Sequence, residues 1–176
     1  MSSEFITLGG GCFWCTESVF QSLNGVISVT PGYSGGHVEN PSYEQVCQQD
    51  TGHVEVIRVE YDPAMISTRQ ILEVFFGTHD PTSLNRQGGD IGPQYASVVF
   101  YHDAEQKQVA EAVMRDAEKI LEQPVVTRLE PEAPFWVAEK GHHEYYQNFP
   151  DQPYCQAVIA PKLARLRKEF TELLRS

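Results

Sequence analysis

Three consecutive glycines, Gly9 to Gly11, stand between a short apolar run (Phe5, Ile6, Leu8) and a segment where Val19, Phe20 and Leu23 recur at helical spacing. A chain that opens this way enters its fold as strand, tight turn and helix. Asn24 and Gly25 stop the helix, and Val26, Ile27 and Val29 begin a second strand. Residues 31–52 are rich in Gly, Pro, Ser and Asn, carry Tyr33 and Tyr43, and read as a long surface loop.

From His53 to Tyr61 the sequence alternates, placing Val54 and Val56 on one face of a strand and Glu55, Ile57, Val59 and Tyr61 on the other. Ile71, Leu72, Phe75 and Phe76 mark a helix ending at Gly77, followed by an irregular stretch to residue 94. A strand over Ala96–Tyr101, a helix capped by Asp103 and running to Leu121, and a short strand near Val125, Val126 and Leu129 complete the pattern. Beyond Pro131 the chain reads as coil with a short helix around His142–Tyr146, then an amphipathic helix over Leu163–Leu174.

The order β-α-β-β-α-β-α-β predicts an α/β (α+β) fold: a two-layer sandwich around a mixed sheet, with a ferredoxin-like core and a long coil-rich C-terminal tail. At 176 residues with no linker composition, the chain reads as a single catalytic domain over 1–176. Thirteen Lys+Arg against 24 Asp+Glu give a formal charge of -11, which disfavours nucleic acid and anionic membranes as partners. The basic residues Lys162, Arg165, Arg167, Lys168 and Arg175 alternate with leucines and glutamates as on a solvated helix face. With neither an export signal nor a long apolar stretch, the reading is cytoplasmic, and the four cysteines are expected reduced, metal-bound or redox-active.

Their spacing carries the chemistry. Cys12 lies where the glycine turn meets the helix, so main-chain N–H groups and the helix dipole predict a stabilised thiolate with a lowered pKa. Cys15 follows one turn later, about 5–6 Å away, within disulfide reach. Phe13 and Trp14 can wall an apolar pocket or join the core. Glu55 taken alone reads as an edge-strand surface carboxylate; sharing a buried face with Ile57 and Val59 it would instead be desolvated and protonated near neutral pH. Cys-x-x-Cys alone fits either a redox pair or half a zinc site, so a thiol-disulfide oxidoreductase and a zinc-binding module stand as rival readings. Two of Cys47, Cys155 or the histidines would have to complete such a zinc site; adjacent His142 and His143 diverge by about 100° on a helix and disfavour a shared ion.

The segments GCFWC, NPSYEQVC, TGHVEV, HDPTSLNRQGGDIGPQY and YCQAVIAPKL, from about Leu8 to Leu163, resemble the peptide methionine sulfoxide reductase A family. The resemblance implies a reductase for the S epimer of methionine sulfoxide, free or in proteins, with no cofactor and thioredoxin or a small dithiol as reductant. It puts the nucleophile on Cys12 and the methyl pocket on Phe13 and Trp14. It puts the general acid on Glu55, the oxygen-binding hydroxyls on Tyr43 and Tyr95, and a supporting carboxylate on Asp90. The chain departs from the commonest family pattern, which has Gly in place of Cys15 and resolving cysteines in the tail; Cys15 is the preferred resolving thiol, with Cys155 as alternative or relay. Cys47 reads as a packed thiol, and Tyr154 as closing the pocket or packing beside it. No metal site and a monomer are expected.

Overall fold

In the computed structural model, which describes residues 3–175, the N-terminal apolar run forms β1 (Glu4–Gly10) and leads into α1 (Phe13–Gln21). The three glycines do different work. Gly9 and Gly10 still belong to the strand, where a β-carbon would come within 2.8 Å of Val98 and 3.0 Å of Phe75. The turn itself needs Gly11 alone, at φ +96°.

The chain continues through β2 (Val26–Ser34), a short α2 (Tyr43–Cys47), β3 (Val54–Tyr61), α3 (Thr68–Thr78), a two-stranded ribbon of β4 (Arg86–Gln87) and β5 (Asp90–Ile91), and β6 (Ser97–Tyr101). It then forms α4 (Ala104–Leu121), β7 (Arg128–Pro131), β8 (Phe135–Val137), α5 (Tyr145–Asn148), a π-helical turn at Cys155–Ile159, and α6 (Ala160–Glu169). A six-stranded sheet runs β7-β6-β1-β3-β2-β8, antiparallel throughout except for the parallel pair β6 and β7. β1 and β2 therefore run parallel on either side of β3, a split β-α-β arrangement inside a mixed sheet.

One face of the sheet meets the helices. Ile6, Leu8, Ile57, Val59, Tyr61 and Val99 pack there with Phe20 of α1, Leu72 and Phe75 of α3 and Leu163 and Leu166 of α6. Val54, Val56, Ala96, Val98 and Phe100 form a smaller cluster on the other face, covered by Ala133 and Phe135. The alternation in 53–61 thus sorts side chains between two cores. Each fully buried large apolar side chain contributes about 1.5–3 kcal/mol.

The structure departs from the sequence expectations where tertiary pairing overrides local composition. β2 runs through Pro31, Gly32, Tyr33 and Ser34, so the expected loop starts only after residue 34. The reason is that this segment pairs with β3 on one side and β8 on the other, which buries Tyr33 completely. β8 itself lies in the region read as coil. The strand expected near Val125 begins at Arg128. α3 passes through Gly77 to Thr78, held by a Ser67–Gln70 capping box at its start. The last helix stops at Glu169 instead of running to Leu174, because Leu173 and Leu174 turn back onto the end of α1: the Leu173 carbonyl accepts from Asn24 N–H at 2.7 Å, and Leu174 bridges Leu23.

Candidate active site

Cys12 stands at the N-cap of α1, and its carbonyl accepts the N–H of Cys15 at 3.0 Å, which brings the two cysteines onto one turn. Both thiols are free. Cys12 is 7% exposed, and both cysteines line an open cavity of about 840 Å³ that Asp90, Tyr154, Lys162 and Arg165 also border. Two of the basic residues read as a solvated helix face therefore share a cavity with the thiols.

The electrostatics reverse the simplest expectation. Burial pushes the Cys12 thiol well up, and its hydrogen bond to Cys15 and the proximity of Glu55 add to this; a main-chain contact with Trp14 offsets it only in part. Desolvation thus outweighs the helix terminus at Cys12. Cys15 is lowered to about 7 by the hydrogen bond from Cys12, against burial and with help from Lys162 and the Tyr154 hydroxyl. The two sulfurs titrate as one unit that gives up its first proton near neutrality and holds the second.

Behind Cys12 lies Glu55. It comes from β3, opposite Tyr33 of β2, and is fully buried. Its Oε1 accepts the Phe13 N–H at 3.1 Å, while Oε2 has no partner among the described residues. Burial raises its pKa to about 8; the Phe13 N–H opposes the shift, and Asp90 and Cys15 reinforce it. A carboxyl in this state carries a proton at neutral pH and presents a free oxygen. Tyr43 begins α2 and Tyr95 ends the 3₁₀ turn Pro93–Tyr95; both are half-buried. Burial and then the charge of Glu55 push both hydroxyls upward, so both remain proton donors.

The tail supplies the next layer. The Tyr154 hydroxyl donates to Asp90 Oδ2 at 2.6 Å and lies 3.5 Å from Cys15 Sγ. Trp14 stacks on Tyr145 with ring centroids 3.9 Å apart, and its indole N–H donates to His142 Nδ1 at 3.1 Å. Phe13 is fully buried under Tyr33, Tyr43 and His142, so of the two aromatics in the sequence motif only Trp14 keeps partial exposure. Cys155 is fully buried in the π-helical turn and stays a thiol. Cys47 is half-buried near the Tyr43 side chain, and burial raises its pKa.

The fold thus gathers Cys12, Cys15, Glu55, Asp90, Tyr43, Tyr95, Trp14 and Tyr154, and leaves Cys155 beneath the surface. Among the described residues no three His, Cys, Asp or Glu side chains are grouped to hold a metal ion. The zinc set drawn from the cysteines and histidines is not assembled.

Two carboxylates that motif reading passed over hold the tail in place. Glu139 accepts the Tyr33 hydroxyl at 3.0 Å and the Tyr43 N–H at 2.9 Å. Glu17, buried on α1, accepts the Glu144 N–H at 2.9 Å and is pushed upward by that burial. Glu17 falls on the helix side that carries the buried apolar residues, which is a readable signal; the role of Glu139 depends on where β8 pairs.

The model of the peptide methionine sulfoxide reductase family matches residues 4–174. Peptide methionine sulfoxide reductase MsrA of Saccharolobus solfataricus is 53% identical over 169 residues, covering 96% of this chain and 96% of that protein. Reduced Mxr1 from Saccharomyces cerevisiae superposes with a TM-score of 0.83 at 33% identity, covering 87% of this chain and 89% of that chain. Mxr1 in complex with Trx2 superposes with a TM-score of 0.58 at 24% identity, covering 81% and 84%.

Proposed function

The chain belongs to the peptide methionine sulfoxide reductase family, and from that premise we propose how its residues reduce the S epimer of methionine sulfoxide, free or in proteins. Cys12 attacks the sulfoxide sulfur as its proton passes to the ionised Cys15 sulfur beside it. Negative charge builds on the sulfoxide oxygen, and Glu55 supplies a proton to it while the Tyr43 and Tyr95 hydroxyls donate hydrogen bonds. The oxygen passes to Cys12, methionine leaves as the thioether, and Cys12 becomes a sulfenic acid.

Cys15, one turn away and the sulfur that ionises more easily, then attacks the Cys12 sulfur. The hydroxyl leaves as water and a Cys12–Cys15 disulfide remains. Cys155 is the alternative resolving thiol; Cys15 shares the cavity wall and the helical turn with Cys12, which supports it ahead of Cys155. Thioredoxin or a small dithiol reduces the disulfide by exchange, so the scheme uses thiols alone, without metal or prosthetic group. Trp14 offers the apolar wall for the substrate methyl group, while Phe13 is packed away from it under Tyr33, Tyr43 and His142; Asp90 holds Tyr154 beside Cys15.

We assign the chain as one catalytic domain over 1–176, a monomer working in the cytoplasm. Among the described residues no helix is long and apolar enough to cross a membrane.

The observation that carries this reading is the Glu55 carboxyl, fixed behind Cys12 by the Phe13 N–H with its second oxygen unpartnered among the described residues. A general thiol-disulfide oxidoreductase has no use for a buried protonated carboxyl and two adjacent phenols. The test is release of methionine from each sulfoxide epimer with a dithiol present. The S epimer should be consumed and the R epimer spared. Cys12→Ser should lower turnover by about 10⁴-fold or more, since it removes the nucleophile. Undiminished turnover in that variant would reject the mechanism.

A further inference from the structure

The cavity beside the thiols is larger than one methionine side chain needs; its volume of about 840 Å³ falls in the range that holds an extended ligand. Gly88 and Gly89, at the turn of the β4–β5 ribbon, border it, and a β-carbon at either would meet nothing within 4 Å. Bare main chain therefore faces open space near Cys12, where an extended peptide can lie. Lys162 and Arg165, one turn apart on α6, also border the cavity, Lys162 half-buried and Arg165 exposed.

The charges there are equal in number but differently held. Asp80 accepts from Thr82 and Ser83, and Asp90 accepts from Tyr154. Among the described residues, neither Lys162 nor Arg165 has an ion-pair or hydrogen-bond partner. With Asp80 and Asp90 on the same lining the cavity is formally balanced, in a chain of formal charge -11, and its two cations are the charges left without a partner on the wall that Cys12 shares.

We infer that this cavity receives the residues flanking an oxidised methionine and selects acidic ones, Lys162 and Arg165 pairing with a carboxylate next to the sulfoxide; the inference rests on the reductase reading above. Two partly exposed ion pairs are worth about three- to tenfold in kcat/KM. Reach and exposure favour a peptide side chain over a deeply bound small anion.

The experiment uses pre-reduced enzyme in single turnover without reductant, so that only the sulfoxide step is read. Three short peptides carry methionine sulfoxide flanked by Asp, Asn or Lys, and uncharged N-acetylmethionine sulfoxide amide serves as reference. In the parent, the Asp peptide should react about three- to tenfold faster than the Lys peptide at low salt, and the ratio should shrink toward one at high salt as the pairs are screened. In K162E/R165E the ratio should invert, and in K162Q/R165Q it should fall to about one. A parent ratio of one or below, a ratio insensitive to salt, or an unchanged ratio in either double variant overturns the inference. Because the parent's salt series decides on its own, a variant that fails to fold leaves the idea testable. No turnover of the uncharged reference by the parent would instead reject the reductase reading.

Discussion

Two parts of the chain meet at the site and are held there in different ways. The N-terminal part, β1 to β3, fixes Cys12, Glu55 and Tyr33 through strand register and the main chain of α1. The tail beyond β8 buries Ile159, Leu163 and Leu166 in the main core, but where it meets the site it is held by single side-chain hooks across long sequence separations. These are Tyr33 and the Tyr43 N–H on Glu139, Trp14 on His142, the Glu144 N–H on Glu17, and Tyr154 on Asp90. A group placed by a ladder cannot move without breaking several hydrogen bonds at once, whereas a hook releases when one bond is lost. Atoms that must meet within tenths of an ångström therefore sit on the ladder, and groups that cover or position sit on the hooks.

Glu55→Gln tests the ladder side most severely. Glutamine can still accept the Phe13 N–H but has no acidic proton, so the sulfoxide step should slow by about 10²–10⁴-fold. In the parent, the rate should rise as the thiol pair ionises near pH 7 and fall as Glu55 loses its proton near pH 8; the variant should lose the falling limb. Stability should move the other way. Between pH 4.5, the ordinary glutamate value, and about 8, the unfolded chain releases this proton while the folded chain keeps it, so burying Glu55 costs more as pH rises. The penalty at neutral pH is on the order of 3 kcal/mol. Denaturant unfolding at pH 5 and pH 8 should show Glu55→Gln gaining on the parent across that window; a constant difference would mean that the carboxyl is already ionised in the fold.

Legibility in the sequence follows the same division. Alternation in Val54–Tyr61 exposed the burial of Glu55, and the glycines before Cys12 exposed the strand-to-helix junction, because ladders and helices repeat at fixed periods. The hooks have no period. Glu139 gains its role from the pairing of β8 with Tyr33's strand, which no local pattern encodes. Lys162 read as solvated because its spacing says nothing of the cavity that α6 borders. The direction of the Cys12 shift was misjudged for a related reason: a helix terminus is visible in sequence, and the depth of burial that outweighs it is not.

A smaller effect separates the two resolving candidates, one from each part. In Cys15→Ser the first sulfoxide should still be reduced, while disulfide formation slows by at least about tenfold, since the remaining tail thiol does not line the cavity that holds Cys12. Mass spectrometry after one equivalent of sulfoxide reads the outcome. A Cys12–Cys155 bond formed at the parental rate in this variant would give resolution to the tail.

The mildest change probes the hook nearest the chemistry. Glu139 holds Tyr43 by its main-chain N–H and Tyr33 by its hydroxyl, and these bonds keep its carboxyl below the usual range against partial burial. Glu139→Gln preserves shape and one acceptor oxygen but cannot accept both donors equally. A charge-assisted bond at a largely exposed carboxylate is worth about 1 kcal/mol, so kcat/KM should fall about three- to fivefold with little change in thermal midpoint. Tyr43→Phe alone should cost about tenfold, because it removes one of the two hydroxyls that the proposed mechanism assigns to the sulfoxide oxygen. If Glu139 acts by placing that hydroxyl, then removing it first leaves little for Glu139→Gln to take away, and the double variant should fall well short of the product of the two losses. Full additivity would show that the hook fastens the tail without positioning Tyr43, and would make the separation between ladder and hook complete.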